Sequence, residues 1–139
     1  MKELRFETGL VSYDLNGGAQ VTFNPTDPAF AERLFNIFDA LDKKQDAYNT
    51  VKQESADTRQ MFDFARKLDA EMRAMIDEAL GQPVCEALFG GMNVYALADG
   101  LPVWCNLMFA LMEELDSGLV REKKAMNPRI QKYTSKYHK

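Results

Sequence analysis

The sequence predicts an α+β fold: an N-terminal antiparallel β-hairpin, of two or three strands, packed on a bundle of about three main α-helices with short helical turns between them. Three observations predict it. Apolar and polar residues alternate through residues 2–24, the period of a half-buried strand. Asn16-Gly17-Gly18 separates two of the alternating runs, as a hairpin turn does. From residue 28 onward the apolar period lengthens to that of a helix. Strands gathered ahead of helices imply α+β rather than alternating βαβ units.

The hairpin register follows from the pattern. Val11, Tyr13 and Leu15 alternate with Ser12 and Asp14, and Ala19, Val21 and Phe23 with Gln20 and Thr22. A two-residue turn would put Leu15 opposite Gly18 and send the two apolar sets to opposite faces. A three-residue loop pairs Leu15 with Ala19, Tyr13 with Val21 and Val11 with Phe23, so all the apolar residues share one face. That register is the expectation, with Gly18 in the left-handed conformation. Leu4 and Phe6 also alternate with charged neighbours, and residues 3–7 either form a third strand or extend the second past Gly9. A lone hairpin is marginal in water, so its apolar face must lie on the helices.

Asn24-Pro25-Thr26-Asp27-Pro28 ends the sheet, with Asp27 as N-cap and Pro28 at the first helical position. Phe30, Leu34, Ile37, Phe38 and Leu41 then recur at helical spacing, followed by Tyr48 and Val51. Past Lys43 the apolar stripe weakens, so the helix either continues exposed or breaks near Asn49-Thr50. A second helix is expected over residues 55–80, with Met61, Ala65, Leu68, Met72, Met75, Ile76 and Ala79 on one face and Gly81 as its stop. Residues 83–89 form a short helix closed by Gly90-Gly91, Asn93 caps a further turn, and Asp99-Gly100-Leu101-Pro102 is a turn. The last helix starts near Leu101 or Pro102 and carries Trp104, Leu107, Met108, Leu111, Met112, Leu115 and Leu119 to a stop before Asn127-Pro128.

A chain of 139 residues suits one domain, expected over residues 1–126, with residues 127–139 as a basic, flexible tail. Charge is unevenly placed. Residues 121–139 hold seven basic residues against one acid, a net of +6, whereas residues 1–120 hold ten basic and twenty acidic residues, a net of −10. An acidic body argues against a nucleic-acid-gripping face. Lys123, Lys124, Arg129, Lys132 and Lys136 form a candidate electrostatic docking tail, and Tyr133 and Tyr137 interleave with the last two in a manner able to stack bases.

The residues supply no catalytic, cofactor or metal constellation. His138 is the one histidine, and neither Cys85 nor Cys105 has a histidine partner nearby in sequence. Neither Gly17-Gly18 nor Gly90-Gly91 sits in a phosphate-binding pattern. Asp57, Asp63, Asp69, Asp77 and Glu78 read as a solvated helix face, because basic residues interleave with them. The N-terminus lacks the apolar core of a signal peptide and the passage from Leu101 to Met112 is too short to span a bilayer, so a soluble, cytoplasmic, non-enzymatic protein is expected.

Asp69, Met72, Ile76, Asp77, Gly81, Cys85, Leu88, Phe89, Gly90, Asn93, Asp99 and Gly100 carry a resemblance. Their order is an amphipathic helix ending MIDEALG, a short apolar turn, ALFG, an asparagine, ADGLP and a long apolar helix. It resembles the small tail assembly chaperones of long-tailed bacteriophages and of prophages in Gram-positive bacteria. The resemblance implies a non-catalytic, self-associating protein of the bacterial host cytoplasm that binds the tape measure protein and helps to recruit tail tube subunits. The binding surface it implies needs adaptable apolar residues on a soluble body, and Met92, Val94, Tyr95 and Leu97, or part of the Phe30–Leu41 helix, are the candidates. The alternative is a nucleic-acid-associated phage or host regulator acting through the basic tail.

Overall fold

A computed structural model describes residues 1–115. Strands β1 (Val11–Leu15) and β2 (Ala19–Phe23) form an antiparallel hairpin, and helices α1 (Pro28–Glu54) and α2 (Thr58–Leu80) pack side by side. Helix α3 (Cys85–Phe89) follows, then a miniature hairpin of β3 (Leu97–Ala98) and β4 (Leu101–Pro102), and helix α4 (Val103–Glu113). The α+β class is the one the sequence predicts.

The hairpin has the register that keeps its apolar residues together: Val11 opposite Phe23, Tyr13 opposite Val21 and Leu15 opposite Ala19. Its turn differs from expectation. The left-handed residues are Asn16 and Gly17, at φ 53° and 70°, and Gly18 is not among them. Gly18 is favoured for another reason: a Cβ there would stand 3.1 Å from the carbonyl oxygen of Ala87, a tight contact, so the turn passes close to the backbone of α3. Tyr13 stacks on Phe23 at 4.7 Å and Phe23 on Phe30 at 4.2 Å, an aromatic ladder that fixes the sheet to α1. Residues 3–7 form no strand, and Leu4 and Phe6 are exposed. The segment pairs with neither edge of the hairpin, and alternation without pairing does not make a strand.

Asp27 caps α1 by accepting the Ala29 amide at 2.9 Å, with Pro28 next. The helix does not break at Asn49 but runs to Glu54. Past Lys43 it continues largely exposed, as one of the two expectations had it, but keeps one covered side: Gln45 is buried, and Tyr48 stacks on Tyr95 at 4.1 Å. Helix α2 begins three residues later than expected because Asp57 accepts the amides of Arg59 and Gln60. At its other end Gly81, at φ 70°, donates to the Glu78 carbonyl while Gln82 donates to that of Asp77, the paired closure that a left-handed glycine permits.

Helix α4 is the centre of the core. Trp104, Cys105, Leu107, Met108, Phe109, Leu111 and Met112 are all buried, so nearly its whole circumference is covered. It ends at Glu113 rather than near Asn127, and the buried Leu115 follows it outside the helix. Leu119, the 127 boundary and the basic tail lie outside the described residues. Trp104 packs on Phe38, 5.7 Å between ring centres, and its Nε1 donates to Oε1 of Gln45 at 2.8 Å. Trp104→Phe keeps the ring contact and leaves that buried oxygen without its donor. It is expected to lower stability by about 1–3 kcal/mol, read as a lower urea midpoint at unchanged m-value.

Candidate docking surface

The segment between α3 and β3 has no regular structure yet runs into the core: Val94 is fully buried and Tyr95 is 6% exposed. Buried irregular backbone needs polar partners, and α2 supplies them from residues four apart on one face. Arg73 donates through Nη2 to the carbonyls of Gly90 and Met92, at 2.7 and 2.6 Å. Its Nε stands 3.1 Å from Oδ2 of Asp69, an ion-pair contact without hydrogen-bond alignment. Asp69 accepts the Val94 amide at 2.7 Å. Asp77 accepts the amides of Val84 and Cys85, at 2.9 and 3.1 Å, and so caps α3, whose own N-cap residue offers no side chain. Asn93 donates to the Ala65 carbonyl and accepts the Tyr95 amide. The segment returns the favour to α4: the carbonyls of Ala96 and Val94 accept the amides of Val103 and Trp104.

This corrects two readings. Asp69 and Asp77 are not a solvated face. Val94 and Tyr95 are not surface residues, because the α2 clamp draws the segment inward and Tyr95 is stacked on Tyr48. The spacing of Asp69, Arg73 and Asp77, four apart on the face bordering the apolar stripe, is the signal that points to the clamp.

What the clamp leaves outside is specific. Met92 is 50% exposed and Leu97, on the miniature hairpin, is 73% exposed. Asp99 and Gly100, at φ 56° and 82°, form the tight turn that lifts Leu97 outward. Met92 borders a groove of about 440 Å³ whose apolar walls include Leu15, Leu88, Phe89, Val103 and Leu107, with Asp14, Asn16 and Asn106 at its polar rim. A second, shallower groove of about 390 Å³ lies between α1 and α2, floored by Ile37, Met75 and Ala79. In the Phe30–Leu41 stretch Phe30, Leu34, Phe38 and Leu41 are buried, so Ile37 is its apolar contribution to a surface. Phe62, 59% exposed on α2, is an apolar surface residue that helical periodicity did not single out. Lys123, Lys124, Arg129, Lys132 and Lys136 lie outside the described residues.

The two thiols are core groups. Burial, with Asp77 nearby, pushes Cys85 up to about 12, and burial, with Asp42 nearby, does the same for Cys105. Among the described residues no group of three or more His, Cys, Asp or Glu side chains is placed to hold a metal, and no helix is long and apolar enough to cross a membrane. Comparisons with protein-family models, with curated proteins and with solved structures find no match for this chain.

Arg73→Met strands two carbonyls and a half-buried carboxylate, so it is expected to cost about 3 kcal/mol and to speed amide exchange at residues 90–96 ahead of the helices. Both thiols are expected to resist a thiol-specific reagent at pH 8 in the native protein and to react on unfolding. Their raised values also set a sign. The native state keeps protons that the unfolded chain releases from about pH 8.5 upward, so this contribution to stability is complete below that pH and is lost as pH rises toward 12. A thermal melt series from pH 8 to 11 measures it.

Proposed function

We propose that this protein is a phage tail assembly chaperone, a non-catalytic module of the host cytoplasm that binds the tape measure protein and helps to recruit tail tube subunits around it. The observation that carries the reading is exposed Met92 at the margin of an apolar groove, with exposed Leu97 on the adjacent miniature hairpin whose Ala98 lines the same groove, while Val94 and Tyr95 between them are drawn inward. A long helical partner exposes apolar residues at a spacing of three and four, and such a stripe is received by an apolar groove with a polar rim. Methionine at the margin suits partners of variable sequence, because its unbranched thioether adapts its shape. The order of helix stops over residues 69–104, which resembles that of tail assembly chaperones, supplies the identity of the partner.

The test is affinity capture of tape measure protein fragments encoded beside this gene, with an unrelated helical protein as control. Selective enrichment is expected, and enrichment no greater than the control overturns the reading. Met92→Glu with Leu97→Glu is expected to weaken capture at least about tenfold, since each buries an apolar side chain in the complex. Because both residues are exposed, the thermal midpoint of the double variant is expected to stay within a few degrees of the parent.

A further inference from the structure

The segment ahead of β1 is apolar at alternate positions and covers nothing. Leu4 and Phe6 are each 83% exposed, and Leu10 is 62% exposed. Its root, by contrast, is built. The carbonyl of Thr8 accepts from Nδ2 of Asn24 at 2.9 Å, and Gly9 turns at φ 75° where a Cβ would stand 2.6 Å from that same nitrogen. Asn24 directly follows β2, whose last residue Phe23 pairs with Val11. The bond therefore holds the segment beyond the end of the hairpin, on the β2 side and away from the outer edge of β1. That edge is unoccupied among the described residues, because the sheet has two strands.

We propose that two copies of this chain exchange these segments, each laying residues 4–8 antiparallel along the outer β1 edge of the other. The register follows from keeping apolar residues on one face. It sets Leu4 opposite Leu15, Phe6 opposite Tyr13 and Thr8 opposite Val11 of the second copy. Tyr13 and Leu15 pack against the core and Val11, on the same face, is exposed, so Leu4 arrives beside the groove wall at Leu15 and Thr8 beside uncovered Val11. On the solvated face the same register puts Arg5 opposite Asp14, an opposite-charge pair of the kind that stabilises neighbouring strands. Shifting by one residue would instead set Arg5 against Tyr13 and turn Leu4 and Phe6 to water. The arrangement is reciprocal, so a two-fold axis closes it between Gly9 and Leu10, with Leu10 of each copy beside Gly9 of the other. Each exchanged segment buries Phe6, an aromatic of the size that covers about 150 Å², together with Leu4, Leu10 and the surfaces they meet, which brings two segments toward the range of about 1,200–2,000 Å² found in stable interfaces. The exchange also gives each marginal hairpin a third strand. It is independent of the tape measure reading.

The test is oxidation of the double variant Arg5→Cys, Asp14→Cys in the full chain. Directly opposed strand residues lie within disulfide reach, and the native thiols are buried. A covalent dimer that neither single variant gives is the expected product. A monomer with an internal disulfide means the segment folds on its own β1 edge and overturns the proposal, as does the absence of any disulfide. Sedimentation is the second measurement. The parent is expected to be dimeric at about 100 µM, and Phe6→Ser to dissociate at least about tenfold more readily at unchanged monomer stability. A parent that is monomeric throughout, or a dimer indifferent to Phe6→Ser, overturns it.

Discussion

An irregular stretch of backbone inside a core must find partners for its amides and carbonyls, and the whole molecule depends on how residues 84–96 do so. Helix α2 answers with Asp69, Arg73 and Asp77, and Asn93 adds the link from the segment's own side. Once pinned, the segment turns its carbonyls toward the first amides of α4, a helix with no side-chain cap. The most apolar of the described helices is thus started by backbone that another helix holds in place.

Burial elsewhere follows from that geometry. With α4 set between α1 and the segment, Trp104 reaches Phe38 and Gln45, and the distal half of α1 acquires a buried side despite its polar sequence. Tyr95, carried inward by the clamp, stacks on Tyr48 and brings its hydroxyl 3.4 Å from the Lys44 carbonyl. The sheet joins through aromatic stacking on Phe30 rather than through further strands, which is why a two-stranded hairpin suffices to close that end of the core.

Function, on the proposed reading, lives in what these constraints leave over. A loop held at the Gly90 and Met92 carbonyls and at the Val94 and Tyr95 amides can present Met92 without losing its shape, and a turn through Asp99-Gly100 can present Leu97 on two paired strands. A docking surface of this kind is adaptable in its side chains and fixed in its backbone, which lowers the entropy lost when a partner arrives.

Local chemistry was legible in the sequence because its causes are local. Alternation on both sides of Asn16-Gly17-Gly18 determined the hairpin register, Asp27-Pro28 the start of α1 and Gly81 the end of α2, each through neighbours a few residues apart. Met92 and Leu97 were legible as exposed apolar residues, but Val94 and Tyr95 between them were not legible as core, since an irregular segment has no period from which burial can be read. The pairs Asp69–Val94, Arg73–Met92 and Gln45–Trp104 join residues from 19 to 59 positions apart. Only the tertiary structure decided these, because the partner of a buried polar group is chosen by which helix lies beside it, and that depends on how all the apolar faces pack together.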